Sequence, residues 1–323
     1  MEVPLPPLCT SSWYCPPETL VATHRDYSSR DIHYSFLQLW QLFPFLEKFY
    51  APFEKNFNPI PIFEFISTNW WIPYTSLVLY ISMIVFLPRI MKNRPVKDLS
   101  KPLAFWNFFL AVYSTIGAIR VVPHLLWFIS THTFKETVCT APYRINGDGA
   151  TGLWVTLFTL SKVVELVDTL FICLKGKKPI FLHWYHHVSV LYFTWAAHEA
   201  AHAGMYFIGM NYTVHSVMYS YYFLMAIKAK PKWLNPIYIT FMQIAQMIVG
   251  VIITAFGFYY SSKDATCAVD PFVLKISGVI YASYLYLFME FMIKRFFVGG
   301  GGVAGGKKKG GASPRKAKAK KAL

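Results

Sequence analysis

Seven separate stretches of predominantly apolar residues divide this sequence, at roughly 70–88, 103–130, 151–173, 180–199, 203–226, 233–260 and 271–297. A helix of about 20 such residues spans the hydrocarbon core of a bilayer. The spacing therefore predicts an all-α, polytopic membrane protein with seven transmembrane helices. Composition agrees, since 55% of the residues are hydrophobic and only 15% charged, where soluble domains carry about a quarter.

The basic residues between the windows orient the chain. Arg89, Lys92, Arg94, Lys97 and Lys101 follow the first window, Lys175, Lys177 and Lys178 the third, and Lys228, Lys230 and Lys232 the fifth. A basic tail follows the seventh, while the alternate loops are nearly neutral. Every second loop being basic, the positive-inside rule puts the C-terminus in the cytosol and the N-terminus across the membrane. Of the 31 Lys and Arg, eight fall in the last stretch, residues 299–323, which has no acidic residue. The net charge of +15 is thus a tail plus short loops, and no nucleic-acid-binding face is expected.

Three domains are expected. Residues 1–64 form a lumenal N-terminal segment with no signal-peptide pattern and one short apolar run, Phe36 to Leu46, read as an interfacial helix. Residues 65–298 form the transmembrane domain, and 299–323 a disordered cytosolic tail. The tail ends in Lys320-Lys321-Ala322-Leu323, which looks like a dilysine endoplasmic-reticulum retrieval signal. Cys139 and Cys267 fall in two predicted lumenal loops, where an oxidising lumen would let them pair.

Polar residues inside the windows carry the chemistry, because they are costly in a bilayer unless paired or facing a wet cavity. Lys162, Glu165, Asp168 and Thr169 recur at helical spacing and share one stripe of the third window. A structural ion pair between Lys162 and Glu165 explains part of it. The fourth window opens with His183, His186 and His187, three imidazoles on one face. Two chemistries fit them: metal ligation, or acid/base and nucleophilic work. Asn211 and His215 lie one turn apart in the fifth window, with Met218 and Tyr219 continuing their face; Thr240, Gln243 and Gln246 form a stripe in the sixth. Interhelical hydrogen bonding accounts for the stripe in the sixth window equally well, and is the lesser alternative for Asn211 and His215. Arg120 and Pro123 interrupt the second window and invite a functional reading by default. The His198-Glu199-Ala200-Ala201-His202 run spells a zinc-protease pattern, but has no evident third ligand and is read as a loop or cap.

Together the four stripes resemble the ELO family, the fatty acid elongases of the endoplasmic reticulum. Its Lys-x-x-Glu-x-x-Asp-Thr pattern matches Lys162, Glu165, Asp168 and Thr169, and its His-x-x-His-His box matches His183, His186 and His187. Its Asn-x-x-x-His-x-x-Met-Tyr stretch matches Asn211, His215, Met218 and Tyr219; its Thr-x-x-Gln-x-x-Gln stretch matches Thr240, Gln243 and Gln246. The resemblance covers about residues 65–297. It implies an acyltransferase that condenses a long-chain acyl-CoA with malonyl-CoA, giving 3-oxoacyl-CoA, CO2 and CoA, with seven helices enclosing an acyl tunnel.

On that resemblance His186 carries the acyl group, His183 and His187 orient it or move protons, and Asn211 and His215 bind the thioester carbonyl and the enolate. Glu165 and Asp168 fix imidazole tautomers and Lys162 balances their charge, while Thr169, Tyr219, Gln243 and Gln246 support the site. Lys175, Lys177, Lys178, Lys228, Lys230 and Lys232 are candidate contacts to the CoA phosphates. No cofactor or metal is called for beyond the two CoA substrates, and the reductases and dehydratase of the elongation cycle are the implied partners. Trp184 within the box looks more like members that prefer saturated or monounsaturated chains. The rival enzyme is a membrane di-iron desaturase or hydroxylase, which would need around eight histidine ligands where few are well placed here. A non-enzymatic transporter or receptor is the rival outside catalysis.

Overall fold

The computed structural model describes residues 11–298 apart from 12, 18–19, 21, 28–31, 95–97, 146 and 201–203. The basic tail with Lys320 and Lys321, together with Lys97 and His202, lies outside the described residues. The first regular elements are an antiparallel hairpin, β1 (Thr23–Tyr27) and β2 (Ile32–Phe36), and those that follow among the described residues are all helical. Short helices α1 (Leu39–Leu42), α2 (Pro52–Lys55) and α3 (Ile60–Thr68) precede α4 (Trp71–Met91) and α5 (Ser100–Thr131). After α6 (Phe134–Cys139) and α7 (Pro142–Ile145) come α8 (Gly149–Val164) and α9 (Val167–Leu174). Then follow α10 (Phe181–Ala200), α11 (Gly204–Ala226), α12 (Pro236–Lys263) and α13 (Pro271–Met292), which runs on into a π-helical segment, Ile293–Val298.

Helix starts follow from local chemistry. Asp270 accepts from the Val273 N–H at 2.8 Å and Asn235 from the Ile237 N–H at 3.0 Å, each with proline as the first helical residue, where its missing N–H costs nothing. Four helical segments are long and apolar enough to cross a membrane: Trp71–Met91, Ser100–Thr131, Pro236–Lys263 and Pro271–Phe297. The windows at 151–173, 180–199 and 203–226 are helical too, and they are the ones that hold Lys162, the histidine box and Asn211.

Polarity is inverted relative to a water-soluble protein. Val78, Leu79 and Phe86 on α4, Phe105 and Leu126 on α5, and Val279 on α13 are exposed, whereas Lys162, Glu165, Thr169, His187, Asn211, His215 and Gln246 are buried. An outer surface of that kind belongs against lipid. The chain is therefore a membrane-embedded helical protein. Its most extensive helix pairing is α5 with α11. A Cβ at Gly117 would lie 2.5 Å from the Tyr212 ring, so glycine lets that ring settle on α5. Tyr212 then donates to the Trp154 carbonyl at 2.8 Å, which draws α8 into the same core.

Two expectations change in the structure. The run from Phe36 to Leu46 is not one interfacial helix. Pro44 lacks the N–H that would continue α1, and a 3-10 segment, Pro44–Phe49, begins there instead. The run is also packed inward, with Leu39 and Leu42 buried. Gln38 beside them donates to the Lys55 carbonyl at 2.7 Å and accepts from the Ala150 N–H at 3.2 Å, at the start of α8. Gly149 there has φ +56, and a Cβ would collide with the Gln38 side chain.

Arg120 is the second change. Rather than facing a site, it forms a two-pronged ion pair with Glu54, Nε to Oε1 and Nη2 to Oε2, both at 2.9 Å, and stacks 4.3 Å over Tyr50. It fastens the N-terminal segment to α5. At the same end of the bundle Cys139 and Cys267 form a disulfide. The Lys135–Asp264 ion pair and a 2.9 Å bond from the Ala268 N–H to the Cys139 carbonyl join the same two loops. Lys135 holds the Asp264 carboxyl well below the usual carboxylate range.

Candidate active site

The stripe of the third window does not lie on an unbroken helix. Regular α-helix stops at Val164 and resumes at Val167, and across the gap the N–H groups of Leu166, Asp168 and Thr169 bond three residues back at 3.1–3.3 Å. This tightened turn divides the motif into two groups with different partners.

The first group is built on a buried cation. Lys162 Nζ, about 1% exposed, donates to Glu165 Oε1 at 2.7 Å and to Asn211 Oδ1 at 3.2 Å, and sits 4.1 Å over the Phe158 ring. An ammonium has only donors, so the Asn211 amide must turn its oxygen toward Lys162, leaving its NH2 available. Glu165 Oε1 also accepts from Ser161 at 2.9 Å. Glu165 Oε2 is buried without a hydrogen-bond partner among the described residues, 3.9 Å from His215 Nδ1, too far for a hydrogen bond.

The second group faces the other way. Asp168 accepts from the Trp106 indole at 2.5 Å and the Tyr219 hydroxyl at 2.6 Å; among the described residues no imidazole bonds to it. Thr169 lies between Tyr80, at 3.0 Å, and His183 Nε2, at 2.8 Å. His183 and His187 pack with ring centroids 4.6 Å apart, and His187 Nδ1 is buried without a partner among the described residues. Polar groups this deep are almost always paired, so the orphaned Glu165 Oε2 and His187 Nδ1 mark where a ligand or water would bind.

A cavity of about 330 Å³ opens beside these groups. At one end it is lined by His186, Asn211, Gln246, Tyr281 and Tyr284, and elsewhere mainly by apolar side chains such as Val155, Phe193, Phe207 and Met247. Of the box histidines and His215, only His186 lines it. Its ring packs 5.2 Å from Tyr284, and neither ring nitrogen has a hydrogen-bond partner among the described residues. Tyr284 is held by Ser189 at 2.7 Å and donates to the His186 carbonyl at 3.3 Å, which fixes the start of α10. A free imidazole and a free amide NH2 thus share one end of an apolar cavity.

Other predicted residues divide. Gln246 lines the cavity, but Gln243 instead donates to Met218 Sδ at 3.6 Å. Asp168 and Tyr219 bond about two turns before the ends of α9 and α11, so the loops with Lys175, Lys177, Lys178, Lys228, Lys230 and Lys232 leave from the same end as the histidine box. Lys177, Lys178, Lys228 and Lys232 are exposed, whereas Lys230 is engaged by the Pro231 and Leu234 carbonyls. His198 lines the cavity three turns beyond His186 and meets Thr159 at 3.3 Å. Among the described residues no three His, Cys, Asp or Glu side chains are grouped to hold a metal ion. Tyr80, Trp106, Ser161 and Tyr284 leave no sequence signal, because each sits in an apolar window with no polar spacing to single it out.

This is a membrane-embedded helical protein with a histidine and an asparagine amide at one end of an apolar cavity. Residues 65–302 match the GNS1/SUR4 (ELO) family, and the chain belongs to it. It is 37% identical over 246 residues to "Putative fatty acid elongase 3" of Caenorhabditis elegans, covering 75% of this chain and 76% of that one. It is 38% identical over 248 residues to "Very long chain fatty acid elongase 6" of Drosophila melanogaster, covering 76% and 78%. The protein of the same name from Gallus gallus is 36% identical over 245 residues, covering 76% and 91%.

Proposed function

We infer that this chain is a fatty acid elongase of the 3-oxoacyl-CoA synthase type, condensing a long-chain acyl-CoA with malonyl-CoA through an acyl-imidazole on His186. The observation that carries the His186 assignment is its place in the cavity: it alone of the motif histidines meets the space an acyl chain would fill, with both ring nitrogens unbonded. In this reading the seven windows are seven spans around an acyl tunnel. The chain resides in the endoplasmic reticulum, N-terminus lumenal and C-terminus cytosolic. Residues 1–64 precede the catalytic domain of 65–298, and the tail from 299 carries the retrieval signal.

The chemistry follows from the groups present. An unprotonated imidazole nitrogen of His186 attacks the acyl thioester carbonyl; the C–S bond breaks, and the thiolate leaves as CoA with a proton. Malonyl-CoA then loses CO2, and the pair of electrons from its C–C bond forms the enolate of its thioester. That carbon attacks the acyl-imidazole carbonyl, the new C–C bond forms as the C–N bond breaks, and the departing imidazole nitrogen takes a proton from water, which returns His186 to its neutral form. The Asn211 NH2, oriented by Lys162, is the donor for oxygen charge that develops in these steps. His215, opposite the open Glu165 oxygen, serves the second carbonyl, and His183 and His187, held through Thr169 and Tyr80, support the acyl carrier. Asp168 acts through Tyr219 and Trp106 as a brace. The exposed loop lysines meet the CoA phosphates at the cytosolic mouth.

Purified protein given palmitoyl-CoA and radiolabelled malonyl-CoA, without iron or reductant, should yield labelled 3-oxoacyl-CoA, and His186→Ala should not. Absence of product at every acyl length, from folded protein that carries iron, would overturn the reading in favour of a desaturase.

A further inference from the structure

The family match begins at residue 65, yet the end of the cavity away from His186 is lined by Pro59, Ile60 and Phe63, which precede it. That stretch is fastened at three points. Upstream, the Glu54 carboxylate has both oxygens engaged: Oε1 accepts from Arg120 Nε and the Trp154 indole, and Oε2 from Arg120 Nη2 and the Ala51 N–H, all at 2.9–3.0 Å. Next, the Phe57 carbonyl accepts from the Gly149 N–H at 3.2 Å. Downstream, the Ile66 carbonyl accepts from the Trp195 indole at 2.9 Å. The segment is thereby tied to α5, α8 and α10, and between the ties Pro59, Ile60 and Phe63 line the cavity.

Their distance from the reacting end is set by the fold. Phe63 lies against His198, ring centroids 6.1 Å apart. His198 is 12 residues beyond His186 on α10, a rise of about 18 Å at ~1.5 Å per residue. A chain tethered at His186 gains from each methylene it buries until it meets a wall that cannot give. Beyond that point overpacking opposes it.

We propose that the segment ahead of the family region sets the longest acyl chain this enzyme accepts. Ile60 and Phe63 are the specificity-determining side chains that meet the methyl end, and the Glu54–Arg120 pair positions them. The proposal rests on the elongase reading above. Val138, Ala141, Tyr143, His198, Ala268 and Val269 also line that end from within the family region. The N-terminal part differs in having its own fastening, which can be loosened separately.

The test is a rate profile of the full-length purified protein with malonyl-CoA and saturated acyl-CoAs from palmitoyl to hexacosanoyl, reading product length by mass spectrometry. Phe63→Ala should raise the ratio of the longest to the shortest substrates about ten-fold and move the cut-off outward by at least one elongation step. Phe63→Trp should move it inward. Glu54→Gln should blur the cut-off, which a general loss of activity would not do. Opposite shifts at one position cannot come from a folding defect, which would lower all lengths alike. Profiles of both Phe63 variants matching wild type, in proteins that elute as folded species, would overturn the proposal. A wild type that condenses no acyl-CoA would instead overturn the elongase reading.

Discussion

The two ends of the cavity treat buried charge in opposite ways. At the far end Glu54 is fully engaged, with four donors on its two oxygens and Arg120 also stacked on Tyr50. At the near end Glu165 has one oxygen saturated by Lys162 and Ser161 and the other without a partner, while His187 Nδ1 is orphaned and the His186 ring is unbonded. Both carboxylates are almost completely buried, so burial does not tell them apart. Satisfaction does: a fully bonded buried charge holds pieces of protein together, and a partly bonded one is waiting for something else.

That contrast fails or sharpens under substitution. His186→Ala should abolish condensation, at least about a thousand-fold in kcat, since no other motif imidazole lines the cavity. Retention of more than a tenth of the activity would move the acyl carrier elsewhere. Asn211→Ala should cost about 10²–10³ in kcat with KM for acyl-CoA little changed, as expected for a donor used when charge develops. An effect confined to KM would make it a binding residue only. Glu54→Ala leaves Arg120 without its carboxylate, and should lower unfolding stability by about 3–5 kcal/mol in a detergent melt. If Glu54→Ala left the melt unchanged while Glu165→Gln did not, the comparison would be reversed.

The smallest effect is on acid stability. Burial opposes the Glu54 charge, but the hydrogen bonds from Arg120, Trp154 and the Ala51 N–H outweigh it and hold the carboxyl below its ordinary value of 4.5. The folded protein therefore keeps this proton off to a lower pH than the unfolded chain does. The stabilisation is full above 4.5 and is lost as pH falls through the lowered value. Melts of wild type from pH 6 downward should steepen below about 4.5, and Glu54→Gln should flatten that part of the curve.

The near end was largely legible in the sequence because helical spacing is a strong signal. His183, His186 and His187, and Asn211 with His215, are spaced to share a face, and the structure gathers them. What spacing could not carry was the turn at Glu165 and Leu166, where bonding three residues back sends Asp168 toward Trp106 and Tyr219 instead of toward an imidazole. Nor could it tell that Gln246 meets the cavity and Gln243 does not. The far end was hardly legible. Arg120 stood out as a charge in an apolar window, but its partner Glu54 is 66 residues away in a segment without periodicity. Long-range pairing of single residues leaves no local pattern to read. The run from Phe36 was read as one interfacial helix although it holds Pro44, which breaks it; the inward packing of Leu39 and Leu42 was decided by Gln38 reaching the start of α8.

The central claim, that an acyl group rests on His186, is tested most directly by leaving malonyl-CoA out. Protein incubated with palmitoyl-CoA alone, quenched and digested, should release about one CoA per active chain. The peptide containing His186 should gain the mass of a palmitoyl group. No CoA release until malonyl-CoA is added, or the acyl mass on another residue, would contradict the account.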